Sequence, residues 1–414
     1  MTLKGLKMAV LIAMVLIPLS SRCLYAAHIT PPASAVKLIF IHHSTGGNWL
    51  ADSNTDQPYG GLGSALMSNN YFVSATNYGW GPESIGDSTD IPNWPDWFTG
   101  ANSAAILSAL YGENDQNVGD FGSWPRLATD PGGENQIIMF KSCFPNSDLF
   151  GNPDDPPASE ISGQYTVSNA KAVYNNLLTY FQTRQDKLFI VIAAPPENRN
   201  DYASDYQTPD HRAANARAFN NWLIKDWLKG YAHNNVAVFD YYNVLTAADN
   251  HHRWYNGAVQ HVINTNYNFP AYPTGEWDSH PNTTGQLKAT TEFVPLLNYN
   301  YNRFIAGANA CLCIGGDFSI WIPCARYGGT NHAFNLVFYS NPSDPSGLYW
   351  RLDKSTLTAG SGAACITVGS GLELSVSCAE YSSVQYAFTL KFYSNPADPS
   401  GLYWKMDMST LKTK

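Results

Sequence analysis

The chain has 414 residues, 44% of them hydrophobic and 14% aromatic, and its 33 acidic against 24 basic side chains leave a formal net charge of −9. That composition can bury a substantial core, which excludes a disordered chain, and the length allows more than one domain. An acidic chain without clusters of Lys and Arg is not built to bind nucleic acid or an anionic membrane surface.

Residues 1–27 read as a secretory signal peptide. Lys4 and Lys7 precede the apolar run Met8 to Leu19, and the small and polar residues Ser20, Ser21, Ala26 and Ala27 follow. Cleavage is expected near Ala26 or Ala27, which would place the mature protein in the periplasm or outside the cell. No later segment reaches the roughly 18 uninterrupted apolar residues of a membrane helix, so no membrane insertion is expected.

Residues 28–305 read as one domain in which strand and helix patterns take turns. Val36–Ile41, Tyr71–Ala75, Ile137–Phe140, Leu188–Ala194 and Val236–Phe239 are expected strands. Most are continuously apolar, as strands covered on both faces are. Helices are expected at Ala104–Leu110, Val167–Phe181 and Asp210–Leu228, the last with Phe219, Trp222, Leu223 and Trp227 on one stripe. A final helix is expected from Thr284 to Tyr299, kinked or shortened by Pro295. The fold class is therefore α/β, a three-layer sandwich around a central parallel sheet, whose ligands would bind beyond the carboxyl ends of the strands.

The tail is duplicated. FNLVFYSNPSDPSGLYWRLDKSTL from Phe334 recurs as FTLKFYSNPADPSGLYWKMDMSTL from Phe388, an offset that also carries Cys311 onto Cys365 and Cys324 onto Cys378. The copies, 308–360 and 361–414, read as two small all-β repeat modules. Phe318, Ile320, Ile322 and again Leu372, Leu374, Val376 alternate at period two, and Asp-Pro-Ser-Gly supplies a turn in each. Disulfides Cys311–Cys324 and Cys365–Cys378 are expected, each worth about 3 kcal/mol to a thin core. Cys143 and Cys313 are left, to pair with each other or stay free. Trp350 and Trp404 occupy equivalent places, as shared core residues would. The tail is read as an anchor or spacer, with binding of a glycan or cell surface as the alternative.

The chemistry centres on Ile41-His42-His43-Ser44-Thr45-Gly46-Gly47, a polar turn at the end of the first strand. Ser44 alone is better explained as a cap for the next turn. His42-His43 invites a metal, but neighbours on a strand point to opposite faces, and His251-His252 has the same difficulty, so no metal is expected. Gly86-Asp87-Ser88 lies in polar, turn-rich sequence without a strand before it, which denies Ser88 the rigid placement of a nucleophile. No Gly-x-Ser-x-Gly elbow is present.

With FIHHSTGGNW, ATNYGWG, IIMFKSCFPNSD and EWDSHPNTTG in this order, residues 36–300 resemble the SGNH (GDSL-like) hydrolase superfamily. The resemblance implies a flavodoxin-like, SGNH-type sandwich with Ser44 as nucleophile, His280 as base and Asp278 as its orienting acid. It also implies an oxyanion hole made by Ser44, Gly79 and Asn146. The sequence departs from the family in three places. His42-His43-Ser44 replaces Gly-Asp-Ser; Asp278 precedes the histidine by two residues rather than three, leaving Glu276 as a rival; and Asn146 lies further past its strand than usual, leaving Ser142 or Lys141 as substitutes. The expected function is a secreted serine esterase, without cofactor, acting on an ester-bearing small molecule or an acylated glycan. The alternative is a non-catalytic extracellular binding protein on the same scaffold.

Overall fold

The computed structural model describes residues 29–53, 58–263, 267–309, 312–314, 317–341, 343–359, 366–369, 371–381, 384–395 and 398–413. The chain divides into two units, one ending at Phe304 and one beginning at Ile305. The leader-like residues lie outside the described residues.

The first unit contains, in order, β1 (Val36–Ile41), α1 (Thr45–Leu50), α2 (Leu62–Met67), β2 (Tyr71–Ala75), α3 (Trp94–Phe98), α4 (Ser103–Gly112), β3 (Ile137–Lys141), α5 (Val167–Phe181) and β4 (Leu188–Ile192). It continues with α6 (Pro209–Lys225), β5 (Val236–Phe239), α7 (Tyr241–Thr246), β6 (His251–Tyr255), β7 (Ala258–Val262), β8 (Pro273–Gly275), β9 (Asp278–Pro281) and α8 (Thr283–Asn309). Strands β1 to β5 are all parallel, in the order β2-β1-β3-β4-β5. This is the flavodoxin-like order, and its switch point lies where the chain leaves β1 for both neighbours.

The continuous apolarity of the strands follows from two buried faces. Leu38 and Phe40 pack with Trp49, Phe239, Phe293 and Leu297 on one side of the sheet. Ile39 and Ile41 pack with Trp94, Phe98, Leu177 and Phe219 on the other. Alternation along β1 assigns successive residues to opposite layers, so both layers must be apolar.

Element ends obey local chemistry. Thr166 and Thr208 accept hydrogen bonds from the Asn169 and His211 N–H groups, capping α5 and α6. Strand β4 stops at Ile192, two residues short of the expected Ala194, with Pro195 and Pro196, which carry no N–H donor, just beyond. Helix α6 ends at Lys225, although Trp227 stays buried in the turn that follows. Pro295 does not shorten α8, which runs to Asn309. Its lost hydrogen bond is outweighed by Leu296, Leu297, Tyr301 and Phe304, all packed in the core beneath the helix. The hairpins β6–β7 and β8–β9 are short and poorly apolar, and no periodicity announces them.

In the second unit the two copies share one sheet and one core. The strands are β10 (Leu312–Cys313), β11 (Ile320–Tyr327), β12 (Thr330–Tyr339), β13 (Tyr349–Ala359), β14 (Ile366–Thr367), β15 (Leu374–Tyr381), β16 (Val384–Tyr393) and β17 (Tyr403–Thr413). Their order is β10-β15-β16-β17-β13-β12-β11-β14. The short first strand of each copy pairs with the other copy: β10 lies parallel to β15, and β14 parallel to β11. Bridges Ile314–Ile320 and Val368–Leu374 then join each short strand's continuation back to its own copy, so the sheet runs round on itself. The copies meet at Trp350 opposite Trp404, flanked by Tyr349–Lys405 and Arg351–Tyr403, a register symmetric under the repeat offset.

Ile320, Ile322, Leu336, Trp350 and Leu352 and their counterparts Leu374, Val376, Leu390, Trp404 and Met406 fill a single core. Phe318 and Leu372 lie just before their strands, with φ of 60° and 56°, and not in them. Their carbonyls accept from the indoles of Trp350 and Trp404, each at 2.7 Å. Asp344 and Asp398 close the two turns, accepting from Ser346 and Tyr349 and from Ser400 and Tyr403. Cys311 and Cys365 lie outside the described residues, as do the side chains of Cys313, Cys324 and Cys378, and with them the expected disulfides.

Candidate active site

Ser44 sits at the seam between β1 and α1, in a backbone conformation unusual for a side-chain-bearing residue, φ 46° and ψ −110°. Such a conformation persists only where the surroundings enforce it. The Gly-Gly pair is part of that enforcement. A Cβ on Gly46 would lie 2.5 Å from the His42 Cβ, and one on Gly47 would lie 2.4 Å from the Phe121 ring. The Ser44 carbonyl accepts from the Gly47 and Asn48 N–H groups, while its own N–H has no intramolecular partner among the described residues.

His280 and Asp278 lie on β9, the return strand of the β8–β9 hairpin. Residues i and i+2 of a strand share a face, so the two-residue spacing sets carboxylate and imidazole side by side. Asp278 Oδ1 lies 2.6 Å from His280 Nδ1 and also accepts from the His280 N–H at 3.0 Å. His280 Nε2 is hydrogen-bonded to Ser44 Oγ. A carboxylate on Nδ1 requires the proton there, which leaves Nε2 as acceptor for the Ser44 hydroxyl. Phe144 packs its ring edge-on against His280 at 4.9 Å. Glu276, the rival acid, is exposed in the hairpin turn, where its carbonyl accepts from Asn200.

The remaining candidates differ in which groups already engage them. Asn146 is buried and held from two sides: its Oδ1 accepts from the Ile91 N–H at 2.6 Å, and its Nδ2 donates to Asp90 at 2.7 Å. Asp90 in turn accepts from the Tyr165 hydroxyl. An amide nitrogen has two protons, so one remains for an external acceptor. The single Gly79 N–H is engaged by Asp87 at 2.8 Å. Ser142 accepts from the Trp94 indole, and the Lys141 ammonium donates to the Ser142 carbonyl. Burial pushes the Lys141 pKa down, against the opposing influence of Cys143 and Asp90. At Ser88 it is the carbonyl that is engaged, by the Trp97 indole, and no imidazole among the described residues reaches its hydroxyl.

His42 and His43 diverge as neighbours on a strand end do. His43 stacks on Tyr78 at 4.5 Å, whereas His42 is buried against Phe40. Burial, reinforced by Lys141, lowers both pKa values, His43 to about 4 and His42 well below its ordinary value, so both rings are neutral near pH 7. His251 bonds Glu292 and His252 accepts from the Asp240 N–H, again in separate directions. Cys143 is a free, buried thiol 3.3 Å from the Thr45 hydroxyl.

The loop after β4 carries no motif that marks it as part of the site. Glu197 is almost completely buried there, and its carboxyl is pushed up to about 8 by burial, with Asp148 and Asp201 adding to the shift. Asn198, Asn200 and Asp201 all bond the β8–β9 hairpin. Their signal was a run of polar residues past a buried strand, at the edge of the sheet where ligands bind.

No protein-family model matches this chain, and no curated protein sequence is similar to it. Three solved structures resemble it over part of its length. One is a carbohydrate esterase family 2 enzyme with a carbohydrate-binding domain from Corynascus thermopiles (Myceliophthora fergusii), 12% identical, covering 66% of this chain and 68% of that one, with a TM-score of 0.31. Another is a carbohydrate esterase whose active site displays divergent catalytic and non-catalytic binding functions, 14% identical, with coverages of 66% and 68% and a TM-score of 0.29. The third is a gut microbial diltiazem-metabolizing enzyme, 8% identical, with coverages of 76% and 61% and a TM-score of 0.29. Scores of this size leave the fold to be read from the sheet order itself.

Proposed function

We propose that the chain is a serine esterase that cleaves an acyl ester through Ser44, His280 and Asp278. One observation carries the reading: the hydrogen-bonded series Ser44–His280–Asp278 unites groups 236 residues apart in the chain, with the histidine tautomer that a general base requires. Ser44 attacks the acyl carbonyl as His280 Nε2 takes its proton. The tetrahedral oxyanion draws on the free Ser44 N–H and the second amide proton of Asn146, a group already fixed by Ile91 and Asp90. Collapse expels the alcohol with the proton from His280. Water then enters by the same base, breaks the acyl–Ser44 ester and releases the carboxylic acid. No cofactor enters these steps.

An O-acylated extracellular glycan is the proposed substrate class, supported by the leader-like residues 1–27, the acidity and the aromatic content. Purified protein should turn over p-nitrophenyl acetate, and Ser44→Ala or His280→Ala should each abolish that turnover. A fluorophosphonate probe should label Ser44. Turnover unchanged from wild type in both variants, or an inert Ser44 beside a labelled Ser88, refutes the assignment, and inert protein that still retains acylated glycan favours the non-catalytic binding reading.

A further inference from the structure

We infer that Asn198 and Ser279 are positioning residues, through which the loop at the carboxyl end of β4 holds the β8–β9 hairpin so that His280 meets Ser44. The consequence for turnover rests on the esterase reading above; the geometry does not.

A two-stranded hairpin is marginal in water on its own, and β8–β9 pairs with no strand of the five-stranded sheet. Something outside it must set its place. Alternation along β9 puts Asp278 and His280 on one face and Ser279 on the other, where Ser279 is completely buried. There the Ser279 hydroxyl accepts from the Asn198 N–H at 2.7 Å and donates to the Asp201 carboxylate. The Asn198 side chain donates to the Gly275 carbonyl on β8 at 2.9 Å and to the Asp278 carbonyl on β9 at 3.1 Å, so one amide spans both strands. Asn200 donates to the Glu276 carbonyl in the turn between them.

Side-chain chemistry explains the choice of residue. A short carboxamide offers two coplanar donors to two carbonyls, whereas an aspartate would face them with acceptors only. None of these bonds touches the Asp278 carboxylate or the His280 ring. Losing them displaces those groups without altering their chemistry, and a displacement of about 1 Å can cost on the order of 100-fold in rate.

The test compares wild type with Asn198→Ala, Ser279→Ala and Asn198→Asp. Three readouts apply: ester turnover, the rate of fluorophosphonate labelling at Ser44, and the downfield proton resonance of the His280 Nδ1–H bound to Asp278, identified by its loss in Asp278→Asn. Asn198→Ala should lower kcat by about 10- to 100-fold with KM within about twofold, slow labelling in parallel, and shift or broaden the resonance while the fold is retained. Asn198→Asp should be at least as damaging, and Ser279→Ala should act in the same direction should Asn198→Ala not fold. Wild-type rates and an unchanged resonance in Asn198→Ala and Ser279→Ala overturn the inference, as does a wild-type spectrum without the resonance. An inert wild type whose resonance is present and responds to these variants overturns the esterase reading alone.

Discussion

The two units reach order by opposite routes. The first gathers its candidate site from remote, unlike segments: a strand end at Ser44, a hairpin at Asp278 and His280, and the β4 loop that grips the hairpin. The second is built from like segments, each copy lending its first strand to the other and each contributing one tryptophan to the central pair. Every residue of the first site is unique in its role, so damage there should be unequal from place to place. In the second, equivalent changes should cost equivalent amounts.

The largest expected effect tests the first half of that contrast. Ser44→Ala, His280→Ala and the double variant should each lose about 10⁴-fold or more in turnover, the double no worse than either single, because the pair acts as one unit. Additive losses would separate the two residues. Next, Asp278→Asn should cost on the order of 10² to 10⁴-fold, while Glu276→Gln stays within about twofold. Reversal of those two would transfer the orienting role to Glu276.

The second half of the contrast is tested by Trp350→Ala and Trp404→Ala. Each should destabilise the tail by about 3–5 kcal/mol, with the two values within about 1 kcal/mol of each other in denaturant titrations. Unequal losses would show that the internal symmetry is not energetic. The remaining effect concerns Glu197. Its carboxyl stays protonated in the folded chain up to about 8, whereas the unfolded group ionises near 4.5. The folded state therefore holds the extra proton between those values, and stability falls as pH rises through that window. Glu197→Gln removes the ionisation, so its melting temperature relative to wild type should climb between about pH 5 and about pH 9. A constant difference would mean that Glu197 is already ionised in the fold.

Much of this was legible in the residues. Five buried strands and the long helices announced themselves because burial on both faces and helical amphipathicity leave periodic marks. Ser44 and the Asp278–His280 pair, which the fold brings together, stood out as candidates because each lies in a short polar block beside a strong element. Gly79 shows the limit: as a residue type it suits an oxyanion hole, yet the fold gives its N–H to Asp87, which no local pattern encodes. Phe318 and Leu372 continue a period-two pattern but stand outside the strands, because each carbonyl is claimed by a tryptophan 32 residues later.

The sequence by itself determined the layered α/β class and the doubled tail, since these follow from composition, periodicity and repetition along the chain. Only the tertiary structure decided which acid faces His280, that Asp87 takes the Gly79 N–H, how the tail copies exchange strands, and that Asn198 bonds both strands of the hairpin. Each of those depends on hydrogen bonds between segments remote in sequence, whose geometry exists only after the sheet order has brought the loops at its carboxyl edge together.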